Sequence, residues 1–142
     1  MTRDASDSHR AGPSRRVRLA ALLCCIAAWV GAFLATHSPL PAPPPEMHVS
    51  DKTLHVVGYF TLAVVFWLTL LAYGKSGPVR TLASGIILAA YGAFDELTQP
   101  MFNRFASIED WLADLCGIVI AVGVLQCLFR IHLAIVRRRS KN

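Results

Sequence analysis

The chain has 142 residues, of which 54% are hydrophobic and only 16% charged, with a mean hydropathy of +0.47. Soluble domains run to about 45–50% apolar and about 25% charged residues, so an ordinary soluble fold is excluded. The net charge of +5 and the pI near 9.4 come from basic residues flanking apolar runs. That pattern speaks for anionic lipid, and against nucleic acid, as the partner.

Residues 1–18 form a polar, arginine-rich segment that is expected to be disordered. Four apolar runs follow, at 19–36, 51–73, 79–97 and 109–129. Each is long enough for a spanning helix of roughly 20 residues, and lipid admits such segments only as helices that close their own backbone hydrogen bonds. The first run, after "SRRVRL", looks like an export signal. It exceeds the about 7–15 apolar residues of a cleaved signal and lacks an A-x-A site, so it reads as a retained span.

The segment "HSPLPAPPPEMHVS" holds five of the eight prolines and reads as an extended, polyproline-like connector. "GKSGPVR" is a tight turn. Gly85, Ala89 and Ala93 on the third helix, and Ala113, Gly117 and Ala121 on the fourth, are small residues four apart. Such stripes let backbones approach, which predicts that these two helices are neighbours. Cys24, Cys25, Cys116 and Cys127 all fall inside spans and behave as small apolar residues, giving neither a disulfide nor a zinc framework. The basic tail 130–142 either extends the last helix or lies on the inner surface.

Of the 14 lysines and arginines, 12 flank the chain ends or the 74–80 turn, and only Lys52 and Arg104 fall on the opposite side. The positive-inside rule then puts both termini in the cytoplasm. The expectation is an all-α, polytopic membrane protein: four transmembrane helices over 19–129, a basic cytoplasmic C-terminal tail, and Glu46, Asp51, Asp95, Glu96, Glu109, Asp110 and Asp114 on the outer side.

Several of these polar groups have simple structural readings. Asp51 opens a helix after Ser50, and Ser107 with Asp110 three later forms a capping box. Glu109 and Asp110 suit the positive end of a helix dipole. Lys52, Asp95 and Arg104 read as water-exposed interface residues. Caps do not explain His55, Glu96 and Asp114, which lie on the membrane side of their helix ends. A charge at the bilayer centre costs about 2.5–3.5 kcal/mol, so these three are expected to face the protein interior. His55 shares a face with Asp51, Glu96 with Gln99, and Asp114 with Asp110. Arg104, the one arginine on that side, is expected to hold Glu96, Asp110 or Asp114.

The same residues carry a family resemblance. "DKTLHVVGYF" resembles the D-K-x-x-H-x-x-x-Y/F opening of the VanZ-like family, named after a teicoplanin-resistance accessory protein. "ELTQ" matches its E-x-x-Q, and "NRFASIEDWLADLCG" resembles its R-x-x-S-x-x-D-x-x-x-N-x-x-G element. The resemblance covers about residues 50–125. It implies a multi-pass protein of the bacterial cytoplasmic (inner) membrane, with Asp51, Lys52, His55, Glu96, Gln99, Arg104, Ser107, Asp110 and Gly117 at family positions. Asp114 stands where the family pattern has Asn.

Three functions follow from these readings. The first is an envelope accessory or binding protein, linked to glycopeptide tolerance. Its outer-face pocket of Asp51, Lys52, His55, Glu96, Gln99, Arg104, Ser107, Asp110 and Asp114 would engage a lipid head group, a cell-wall precursor or a lipoglycopeptide. The second is a membrane-embedded enzyme with His55, Glu96 and Asp110 as its catalytic candidates. His with carboxylates is a usable donor set for a divalent ion, but no sequence-spaced metal motif is present and no metal or cofactor is expected. The third is a proton-coupled transporter, which four short helices would build only as an oligomer.

Overall fold

The structure is a computed structural model, and it describes residues 12–38 and 50–141. The expected disordered segment up to residue 11 and most of the proline-rich connector, including Glu46, lie outside those residues.

Among the described residues there are four α-helices and one short 3-10 turn, with no strand. Helix α1 spans Arg15–His37, and Ser14 caps it by accepting from the Val17 amide. The helix therefore starts four residues before the expected span, and Arg15, Arg16 and Arg18 belong to its first turn, not to a tail. At its far end, His37 forms the last turn and does not belong to the connector. Helix α2 spans Asp51–Ala72 and stops at Gly74, whose φ of 72° is the left-handed turn that glycine adopts without steric cost. Helix α3 spans Gly77–Thr98 and carries Pro78 in its first turn, where a missing N–H costs nothing. The 3-10 turn Gln99–Phe102 and Asn103, at φ 58°, turn the chain toward α4, Ile108–Arg139. Ser107 caps α4 by accepting from the Asp110 amide at 3.3 Å, as the capping pattern predicts. The basic tail extends α4 to Arg139.

Helices α1, α2 and α4 are long and apolar enough to cross a membrane. Helix α3 has the same 22 residues as α2, but Pro78, Arg80, Asp95 and Glu96 dilute its apolar run. At about 1.5 Å per residue, 22 residues reach about 33 Å, which matches a hydrocarbon core of about 30 Å.

Contacts at the two ends show that successive helices run antiparallel. At one end, Thr36 meets Asp95, His37 meets Thr98 and His55 meets Asp114. At the other, the Thr69 hydroxyl donates to the Ala21 carbonyl at 3.1 Å and Thr81 meets Gln126. Helix α2 packs against all three others, most extensively α4. The core between them is Tyr59, Leu62, Ala63, Leu88, Ile118, Ala121 and Val122. Large apolar side chains such as Leu23, Val30, Leu34, Ile86 and Val119 cover the outside. A bundle with so much apolar surface outward is built for lipid.

The expected pairing of small-residue stripes needs correction. Gly117 lies against α2, where an added Cβ would collide with the Val56 carbonyl and sit 2.9 Å from the Phe60 amide nitrogen. Gly85 faces open space. Helices α3 and α4 are neighbours through a different device: the Trp111 indole donates to the Ala89 carbonyl at 3.0 Å.

Candidate functional site: two buried histidine–carboxylate pairs

The end of the bundle where α1 and α3 finish and α2 and α4 begin collects the polar side chains. Asp95 and Glu96 are consecutive on α3, about 100° apart around the helix axis, so they point to different neighbours. Both are buried, at 1% and 5% exposure.

Glu96 points toward α2 and α4. Its Oε1 lies 3.9 Å from His55 Nδ1, and Asp114 Oδ1 lies 2.9 Å from the same nitrogen. Gln99 Nε2 donates to Glu96 Oε1 at 3.1 Å, and the Ser107 amide donates to Oε2 at 2.8 Å. The turn Gln99–Phe102 exists in part to make that grip: it returns the chain so that the α4 cap residue faces the last turn of α3. Asp114 is fully buried, and its second oxygen, Oδ2, has no hydrogen-bond partner. Asp110 lies one turn outward and is also buried.

Asp95 points toward α1. The Thr36 hydroxyl donates to its Oδ1 at 2.9 Å, and His37 Nδ1 lies 3.5 Å from the same atom. His37 Nε2 pairs with the Thr98 hydroxyl at 2.9 Å. The imidazole is stacked on Phe33 and meets the edge of Phe102. This second pair corrects the expectation that Asp95 is a wet interface residue. Burial of this carboxylate carries a desolvation penalty, offset in part by the two α1 partners of Oδ1, while Oδ2 has no hydrogen-bond partner.

Arg104 does not hold the buried carboxylates. Its guanidinium lies 3.6 Å from Asp51, at the rim, in a pair that is partly open to water. The left-handed Asn103 turns the chain so that Arg104 meets the start of α2 and not Glu96, Asp110 or Asp114. Lys52 pairs with Glu109, and both are exposed. The two cations of this end are therefore engaged at the surface, and none reaches the interior cluster.

Two cavities approach the cluster from opposite sides. One of about 350 Å³ lies between α1 and α2, with Ala32, Ala35 and Gly58 as its wall and Asp51, His55 and Arg104 at its polar end. The other, of about 320 Å³, lies between α3 and α4 and reaches Glu96 and Ser107. Leu54 and Val57 on the first, and Leu97 and Ile108 on the second, are more than half exposed on the lipid-facing surface. The hydroxyl of Tyr59, beside the first cavity, is buried without a partner.

Of the residues picked out from sequence, the fold brings His55, Glu96, Gln99, Asp110 and Asp114 together in the interior and places Ser107 as the backbone donor to Glu96. Asp51, Lys52 and Arg104 stand at the rim. The sequence does not point to Thr36, His37 and Thr98, and it marks Asp95 only as a wet interface residue. The available signal was "TH" closing an uninterrupted apolar helix, where an ionisable ring needs a partner.

No protein-family model, no curated protein and no solved structure matches this chain. The site's chemistry therefore rests on its own geometry: one imidazole between two carboxylates, a second imidazole beside a third, and two apolar cavities that end on them.

Proposed function

We propose that the chain is a VanZ-like protein of the bacterial cytoplasmic membrane that binds the polar head of an envelope amphiphile. In this reading all four helices span, both termini face the cytoplasm, and the acidic end faces outward. The segregation of basic residues to the opposite end supports that orientation. The fourth span is α3, whose Arg80, Asp95 and Glu96 are turned inward and so do not meet lipid. Asp51, His55, Glu96, Gln99, Ser107 and Asp110, which carry the resemblance, gather at one end, and this supports the family reading.

The observation that carries the proposal is the cavity between α1 and α2. It has an apolar wall flush with the lipid-facing surface and ends on His55, Asp51 and Arg104. An acyl or polyprenyl chain fits the wall, and a head group fits the end. The cluster is net acidic, and Lys52 and Arg104 already have carboxylate partners. A hydroxyl- or amine-bearing head, as in a sugar-containing wall precursor or a lipoglycopeptide, suits it better than a bare anion.

Gly58 provides the test, because a Cβ added there meets nothing within 4 Å and a longer side chain is directed into the groove. Gly58→Leu should retain the wild-type melting behaviour, lose lipids that co-purify with the wild type by mass spectrometry, and lose any glycopeptide tolerance the chain confers. Full retention of the same lipids would refute the reading.

A second reading is catalytic. His55 borders the cavity, and its Nδ1 is held by Asp114 at 2.9 Å, the arrangement of a general base with its orienting carboxylate. His55→Gln separates the two: a binding protein loses affinity, whereas an enzyme keeps its ligand and loses turnover.

A further inference from the structure

We propose that His55, Glu96 and Asp114 form a binding site for a divalent transition-metal ion, with Zn²⁺ and Mn²⁺ as the best chemical match. The site stands independently of whether an amphiphile fills the groove. One donor atom from each residue lies within 4.8 Å of the others, and all three residues are buried. Ligands on tetrahedral zinc, at bond lengths of about 2.0–2.2 Å, lie about 3.4 Å apart. The observed separations from His55 Nδ1, 2.9 Å to Asp114 and 3.9 Å to Glu96, straddle that value. A shift of about half an ångström, with Asp114 moving away from the imidazole and Glu96 toward it, completes the geometry.

Hydrogen bonding alone leaves the cluster incomplete. A single ring nitrogen faces two carboxylates and can serve only one of them fully. Asp114 Oδ2 is left with no partner although the residue is fully buried. Gly92 stands opposite that oxygen: an added Cβ would lie 3.1 Å from it, so the glycine keeps the space beside the carboxylate clear. Among the described residues no lysine or arginine enters the cluster, since Lys52 pairs with Glu109 and Arg104 with Asp51. A cation between the imidazole and the two carboxylates offsets the excess negative charge, and a carboxylate that turns to bind through both oxygens also engages Oδ2.

The surroundings resemble the outer shell of a metal ligand. Gln99 and the Ser107 amide hold both oxygens of Glu96, which fixes the carboxylate in one orientation. Asp51, His55 and Asp110 form a second set of donors within 4.8 Å, nearer the rim, and it shares His55 with the buried set. An ion captured at the rim has a ligand in common with the interior site and a short path to it. Imidazole and carboxylate donors without a thiolate favour zinc, manganese or iron over copper(I), and one nitrogen donor disfavours calcium or magnesium. Three protein ligands leave a coordination position open toward the cavity that ends at His55.

The test uses the full chain in detergent, with any affinity tag removed, stripped by a chelator and titrated with Co²⁺ as a spectroscopic probe. The proposal expects one equivalent bound, visible bands of nitrogen and oxygen ligation, displacement by Zn²⁺, and a higher melting temperature with the ion. Asp114→Asn and Glu96→Gln keep the shapes and should each weaken binding at least tenfold, whereas the exposed Glu109→Gln should bind as the wild type does. Absence of stoichiometric uptake by the wild type overturns the proposal. So do thiolate charge-transfer bands, or unchanged affinity in both the Asp114 and Glu96 variants.

Discussion

Gly117→Ala is the substitution from which the packing predicts the largest effect for a single added methyl. The new Cβ would sit 2.9 Å from the Phe60 amide nitrogen and closer still to the Val56 carbonyl oxygen, both of them backbone atoms of α2. Ordinary contact between such atoms begins near 3.4 Å, so α2 and α4 must separate by at least about half an ångström along this line. No rotamer change can absorb the clash, because no side chain is involved. Overpacking usually costs about 1–3 kcal/mol where side chains can adjust, and a rigid backbone contact belongs at or above the top of that range. The displacement also reaches the site, since Val56 follows His55 in sequence and Gly117 lies one turn from Asp114. The 2.9 Å contact between His55 and Asp114 should lengthen past hydrogen-bond range. Gly85→Ala is the matched control: its Cβ meets nothing within 4 Å, and removing a helical glycine gains up to about 1 kcal/mol. Reversible denaturation in mixed detergent would compare the two. If Gly117→Ala unfolds at the same midpoint as Gly85→Ala, the close approach of α2 and α4 is wrong.

Three further outcomes are expected. Arg104→Ala should cost no more than about 1 kcal/mol, because its pair with Asp51 is half-open to water; a loss of about 3 kcal/mol in the same denaturation experiment would mean that it neutralises buried carboxylates after all. Asp95→Ala should cost about 1–3 kcal/mol for each partner left unsatisfied, whereas Asp95→Asn keeps an acceptor for Thr36 and should lose clearly less; equal losses would show that the Asp95 contacts carry little energy. In a cysteine-free background, a cysteine at Ser38 should react with an impermeant reagent from outside intact cells and one at Ser140 should not, and the reverse pattern would invert the topology.

Much of the architecture was legible in the sequence because membrane helices announce themselves by length and by their charged borders. The Ser107 cap and the inward placement of His55, Glu96 and Asp114 followed from helix periodicity and the cost of charge in lipid. The partners did not follow. Arg104 was matched to the nearest carboxylates by counting charge, but the path of the loop decides its direction, and Asn103 sends it to Asp51. Asp95 differs from Glu96 by one position and by a whole neighbour. Whether it meets water or α1 depends on where α1 packs, which no periodicity along α3 contains. The stripe through Gly117 predicted a close approach correctly and its partner helix wrongly, since small residues specify a distance without naming the helix at the other end.

Arg80 gives the two ends of the bundle unequal characters. Its side chain is inserted between the rings of Trp67 and Phe129, 4.5 and 4.4 Å from their centres, and it is 3% exposed. One terminal nitrogen donates to the Lys75 carbonyl, which ties the α2–α3 turn over it. The two rings offset part of the cost of burying the cation, whose Nε and second terminal nitrogen have no hydrogen-bond partner. Among the described residues, Arg80 therefore fills the basic end with packed side chain, while both cavities lie beside the acidic end.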